Sequence, residues 1–286
     1  MRISLSITDF SWSASTLAAR LSEIARAADD GGLDTLWVAD HLLQADPNSP
    51  PDAPMLEAYT TLGFLAAGTR RLRLGTMVTS VTIRPPALTI KAVTTVDVHS
   101  GGRAWLGLGA GYAEDEARAM GLHLPPVAER FERLEETLRL ATQMWAGDAT
   151  AFHGSHYRLE QPIGSPAPLT RPHPPILIGG MGERKTLRLV AQYADACNLF
   201  DIPDGGETIR HKLDVLARHC DELDRHPDHI EKTLSSRLSP GESADEFADR
   251  CATLAALGID HVVLVTSDTW TDAELEVLTS AAELVP

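Results

Sequence analysis

Residues 176–200 read ILIGGMGERKTLRLVAQYADACNLF. An apolar run (176–178) stops at paired glycines. A helical pattern follows from Lys185 to Asp195, and a second apolar run (196–200) comes at once. Strand, helix and strand joined by short turns make a βαβ unit, which forces the two strands parallel. Arg184 and Lys185 stand where the helix begins, although the positive end of the helix dipole disfavours cations there. Two readings fit: solvated charges on a tight turn, or a loop whose glycines and cations receive an anion.

The same alternation runs outward in both directions. Toward the N-terminus, strands are expected at 2–7, 35–39, 73–81 and 104–108, and helices at 15–31, 57–69, 87–100 and 126–146. Toward the C-terminus come helix 206–225, strand 233–238, helix 243–256, strand 261–266 and helix 272–284. Eight strand–helix units in 286 residues predict a single α/β domain, a (β/α)8 TIM barrel, over an open doubly wound sheet. Residues 147–175 are loop-rich, with a hairpin expected in AFHGSHYRLE. They are expected to form an insertion at the C-terminal mouth, with His153, His156 and Tyr157 lining the pocket.

Composition narrows the function. Twenty-five Lys and Arg against 40 Asp and Glu leave a net charge of −15. That speaks against nucleic acid, whose phosphates need clustered cations, and against an anionic membrane surface. No charge-free apolar window reaches membrane-spanning length and the first residues lack a leader pattern, so a cytoplasmic protein is expected. Cys197, Cys220 and Cys251 are widely spaced and form neither a disulfide framework nor a metal pair. The segment HCDELDRHPDH (219–229) has metal-ligand composition without metal-ligand spacing and is read as a polar surface turn.

A barrel of this kind places its chemistry at the C-terminal ends of the strands. Strand two ends in Asp40-His41, where the imidazole could be an acid/base or a structural group. Strand four ends in GLGAGY (107–112), where Gly109 and Gly111 let a ring approach and Tyr112 could stack on it or cover the mouth. Strand five ends in Gly179, Gly180, Met181 and Gly182, followed by Arg184 and Lys185, the stronger anion-loop candidate. Glu57 opens a helix, where the dipole alone accounts for a carboxylate.

These motifs taken together resemble the bacterial luciferase-like family of flavin- and deazaflavin-dependent oxidoreductases, in particular the branch that uses coenzyme F420. The resemblance is carried by TLWVADHLL (35–43), LEAYTTLGFLAAGTRRLRLGTMVT (56–79) and HSGGRAWLGLGAGY (99–112). It continues through ERFERLEETLRLATQMW (129–145), HGSHYRL (153–159), PPILIGGMGERKTLRLVAQYADACN (174–198) and GIDHVVLV (258–265). It implies a cofactor ring packed on strand three, with a non-prolyl cis peptide around Met77, Val78 and Thr79, and a cofactor phosphate at Gly179–Lys185. Asp40 and His41 match the strand-two pair that contacts ring or substrate, and His41 or Tyr112 would move the proton. A small organic substrate, a homodimer and a separate cofactor reductase are further implications.

FMN with a two-component monooxygenase reaction is the alternative, a non-catalytic ligand-binding barrel a third reading, and a hydrolytic metal barrel a fourth. Tyr112 stands where the sugar-phosphate dehydrogenase branch has an acid, and no cluster of substrate-phosphate cations is evident. Sugar-phosphate oxidation is therefore not expected.

Overall fold

The computed structural model describes residues 1–46, 49–50 and 52–285. Its strands are β1 (Arg2–Ile7), β2 (Thr35–Val38), β3 (Arg73–Thr76), β4 (Thr79–Ser80), β5 (Leu106–Gly109), β6 (Phe152–His153), β7 (Arg158–Leu159), β8 (Ile176–Gly179), β9 (Ala196–Phe200), β10 (Glu231–Ser236) and β11 (His261–Val265). Its helices are α1 (Leu17–Asp30), α2 (Ala58–Gly68), α3 (Pro86–Ser100), α4 (Glu114–Ala119), α5 (Val127–Trp145), α6 (Thr186–Tyr193), α7 (Glu207–Glu222), α8 (Ala244–Ala256) and α9 (Asp272–Leu284).

Nine strands form one all-parallel sheet in the order β3-β2-β1-β11-β10-β9-β8-β5-β4. Its two ends are halves of one barrel strand: β3 and β4 are separated only by a cis Met77–Val78 peptide. A parallel bridge from Leu74 to Ala104 closes the ring between β3 and the approach to β5. With β3 and β4 taken as one, this is the eight-stranded barrel that the alternation predicts. The expected seventh strand is β10, paired on both sides.

Local chemistry sets several boundaries. Ser243 with Glu246 and Thr271 with Glu274 form capping boxes that start α8 and α9. Pro86 opens α3, and Gly101 closes it in the left-handed conformation. The Glu57 carboxylate accepts the Thr60 N–H and caps α2, the structural role its position suggests.

The main apolar cluster lies between strands and helices. A second, smaller cluster of Trp37, Trp105, Leu177, Ala196 and Val263 fills the barrel interior, with Met77 and Val78 packed on it. Gly75 is obligatory there, because a Cβ would stand 2.7 Å from Trp105 and 2.8 Å from Trp37. The interior is thus plugged by two indoles at mid-height. Above them small or flat residues remain, Ser6, Gly109, Gly179, Asn198 and Ser235, and all of them line the mouth.

Two features depart from expectation. Residues 147–175 join the end of α5 to the start of β8, so they belong to the closed end and flank of the barrel. The hairpin β6–β7 is present, but none of the segment lines the mouth. Glu136 of α5 instead accepts the backbone N–H groups of Ser155, His156 and Tyr157. His156 bonds Glu132, and Arg133 stacks on Tyr157. Farther along, the buried Asp97 of α3 accepts the N–H groups of Leu169 and Thr170. The segment straps α3 and α5 together. The second departure is α4, a short helix after β5 that overhangs the mouth. Among the described residues, no helix is long and apolar enough to cross a membrane.

Candidate active site

The mouth holds a cleft of about 1010 Å³, the size of a pocket for a substantial organic ligand. Its floor is Met77 and Val78 at the break in the third barrel strand, flanked by Gly109 and Gly179. A Cβ on Gly109 would stand 2.9 Å from Val78 Cγ2, and one on Gly179 3.0 Å from the same methyl. Gly109 is therefore dictated by Val78 and Gly179 is close-packed on it, and together the three leave a smooth surface on which a flat ring can lie. Gly111 is held at φ +83°, and a Cβ there would collide with Ser80 Oγ.

Gly180, at φ +112°, turns the chain out of β8. The N–H groups of Met181 through Lys185 have no acceptor among the described residues, which is the donor arrangement an anion would fit. Arg184 is exposed, and Lys185 Nζ lies 5.3 Å over the Phe131 ring. Glu183 turns the other way, held by His211 and Lys212. Gly179 and Gly180 line the cleft, whereas Met181, Gly182, Arg184 and Lys185 lie beyond its lining residues.

Asp40 and His41 leave β2 side by side and do different things. Asp40 is buried, gripped by Arg84 at 2.6 and 2.9 Å and by the Thr79 hydroxyl at 2.6 Å. Tyr59 reaches the same Thr79 hydroxyl, and Arg84 continues to Glu57. Thr79 is thus a strut beneath the floor rather than a lining residue. The buried carboxylate is stable because both its oxygens are bonded and a guanidinium faces it.

His41 points into the cleft, its side chain 16% exposed. Its Nδ1 lies 3.0 Å from Glu116 Oε2, and its Nε2 lies 3.4 Å from the Tyr112 hydroxyl. Tyr112 stands edge-on to the imidazole and is 69% exposed. Its phenol is pushed above the ordinary range by partial desolvation, then by the Glu116 and Asp46 carboxylates. The two expected proton carriers therefore do meet. The residue that holds His41 from its other nitrogen, Glu116 on α4, is one that local sequence does not reveal. Arg237 and Arg250 also line the mouth. Arg250 is held by Glu242, while Arg237 bonds the Ser267 hydroxyl.

His219 bonds the Glu183 carbonyl, His226 pairs with the exposed Asp228, and no group of three metal-ligating side chains occurs among the described residues. Cys197, Cys220 and Cys251 are buried and unpaired.

A closed parallel barrel with a wide cleft at the C-terminal ends of its strands, floored by a broken third strand, is a TIM barrel. The chain belongs to the luciferase-like monooxygenase family, whose model matches residues 1–279. Two curated relatives are named F420-dependent glucose-6-phosphate dehydrogenase. The one from Kineococcus radiotolerans is 36% identical over 84% of this chain and 69% of its own. The one from Amycolatopsis mediterranei is 36% identical over 77% of this chain and 64% of its own.

Among solved structures, an F420-dependent secondary alcohol dehydrogenase with an F420-acetone adduct superimposes with TM-score 0.84, covering 100% of this chain and 99% of that one at 18% identity. The coenzyme F420-dependent tetrahydromethanopterin reductase of Methanopyrus kandleri gives 0.79 with the same coverage at 15% identity. At these identities the two structures establish the fold.

Proposed function

We propose that the protein is an F420-dependent oxidoreductase that moves a hydride between the deazaflavin and a small organic substrate. The observation that carries this reading is His41 Nε2, presented to the cleft beside a floor that only Gly109, Gly179 and Val78 together keep flat. The names of the curated relatives support the deazaflavin over FMN. The residues present fit such a group: the glycine-backed floor suits the ring, and the Met181–Lys185 amides with Arg184 suit the phosphate. Bound F420 supplies a carbon that accepts or returns a hydride and reacts poorly with oxygen. The chain supplies orientation, exclusion of water and a proton site. His41 Nε2 takes the proton of a substrate hydroxyl as hydride leaves the adjoining carbon, and returns it to the carbonyl oxygen in the reverse direction.

Two grounds for setting sugar phosphates aside weaken here. The resemblance implies an acid in the sugar-phosphate branch where this chain has Tyr112, yet Glu116 brings a carboxylate to the same imidazole from the next helix. Arg237, bonded to the neutral Ser267 hydroxyl, puts positive charge at the mouth, whereas Arg250 is paired with Glu242. Glucose 6-phosphate therefore comes first in a substrate screen, with simple alcohols and ketones next.

A homodimer belongs to the same reading. Phe64 on α2 and Leu88 on α3 are 47% and 55% exposed on two helices packed together, an apolar surface suited to a second copy. A separate cofactor reductase and a cytoplasmic location complete it. Titration of the purified protein with F420 and with FMN, followed by fluorescence, is the test. Tight binding of F420 with weak or no binding of FMN is expected. Preference for FMN would replace the reading by a two-component monooxygenase, and binding of neither by a non-catalytic barrel.

A further inference from the structure

Glu116 lies on α4, and its carboxylate does two separate things. Oε1 accepts the backbone N–H groups of Leu42 at 2.5 Å and Leu43 at 3.1 Å, while Oε2 faces His41 Nδ1 at 3.0 Å. The side chain is 9% exposed, so these partners set its orientation. A carboxylate only accepts, so in the neutral imidazole Nδ1 carries the proton and Nε2 the lone pair. That lone pair is the one turned toward Tyr112 and the cleft.

We propose that Glu116 is a positioning residue that locks His41 as the Nδ1–H tautomer, which makes Nε2 a proton acceptor at the cleft. The assignment rests on the proposed acid/base use of His41 for its consequence, but not for its observable.

The geometry distinguishes this from simple packing through Glu116→Gln. The glutamine oxygen must stay with the Leu42 and Leu43 N–H groups, because an NH2 group there would face two donors. Its NH2 group then faces Nδ1 and can only donate. The imidazole is forced into the opposite tautomer, with Nε2–H pointing at the cleft and no lone pair to receive a proton. A near-isosteric change thus inverts the imidazole. Glu116→Asp keeps the carboxylate and should keep the tautomer.

The test is 15N NMR of histidine-labelled protein without ligand, at a pH well above the range in which an ordinary imidazole protonates. His41→Asn identifies the His41 signals. Expected are a pyrrole-type Nδ1 and a pyridine-type Nε2 in the native protein and in Glu116→Asp, reversed in Glu116→Gln. With substrate, Glu116→Gln should lower kcat by at least about tenfold with little change in KM, the size and pattern of a lost general base. A native spectrum with Nε2 protonated, or an unchanged tautomer in folded Glu116→Gln, overturns the assignment. Should Glu116→Gln not fold, the native and Glu116→Asp spectra still decide it. Normal turnover in His41→Ala would instead overturn the acid/base reading and leave the tautomer question to its own spectrum.

Discussion

The barrel carries two glutamate–histidine–hydroxyl chains, one at each end. At the mouth Glu116 holds His41 Nδ1 and the Tyr112 hydroxyl stands at Nε2. At the closed end Glu231 accepts from His261 Nδ1 at 2.6 Å, and Ser4 Oγ lies 2.5 Å from Nε2. The second chain has the shorter contacts, yet His261 and Ser4 have no accessible surface, and Ser4 Oγ also accepts the Thr35 N–H. It is a fully satisfied plug that ties β1, β2, β10 and β11 together. Connectivity alone would nominate both as reactive. What separates them is that only one has its far nitrogen over a cleft.

The largest expected effect falls on the loop proposed to receive the cofactor phosphate. Gly180→Asp adds a side chain to a left-handed residue and a negative charge beside unbonded amides. It should abolish F420 binding in the fluorescence titration, and native affinity there would remove the loop from the site. Next come the two histidines, which should fail in opposite ways. His41→Ala should cut kcat/KM by about 10²–10⁴-fold while thermal stability stays near native. His261→Ala should leave kcat/KM within about twofold of native, an order-of-magnitude allowance for a residue outside the cleft, but destabilise by about 1–3 kcal/mol, because Ser4 and Glu231 lose a buried partner. Denaturant titration and steady-state kinetics on both variants separate the roles, and equal effects on one readout would collapse the contrast.

A smaller effect appears at alkaline pH. Burial pushes Cys251 up to about 11 and Cys197 to about 12, from an ordinary 9.0. Above pH 9 the unfolded chain loses these protons while the folded chain keeps them. The folded state then binds more protons, and stability falls with rising pH until the folded thiols ionise. Melting temperature should therefore drop between pH 9 and 11, and Cys197→Ser should show a shallower drop. The same melts on His41→Ala should superimpose on the native curve, since both thiols lie outside the cleft that His41 lines.

Much of the fold was legible because each βα unit announces itself within a few residues: apolar run, glycine turn, helical period. The eighth strand, GIDHVVLV, and the first, RISLSI, are complete local patterns, and their pairing follows from barrel closure. The site was legible where backbone geometry demanded glycine, as at Gly109, Gly179 and Gly180. The candidate site was not legible where it is built from side chains distant in sequence. Glu116 meets His41 across 75 residues, and α4 is too short, EDEARA, to show a period, so its acids read as loop. The strap over 147–175 was misplaced for a different reason. A connection from helix end to strand start belongs at the closed end of a barrel, and its histidines drew attention toward chemistry they do not share.

Val78 touches the space that both Gly109 and Gly179 leave open. In the history of such a sequence these three positions cannot drift one at a time. A methyl acquired at 109 fits a lineage that has already trimmed 78, so the order of substitutions matters as much as their sum. Gly109→Ala should be severe in the native background and mild after Val78→Ala, a sign of epistasis written into the floor itself.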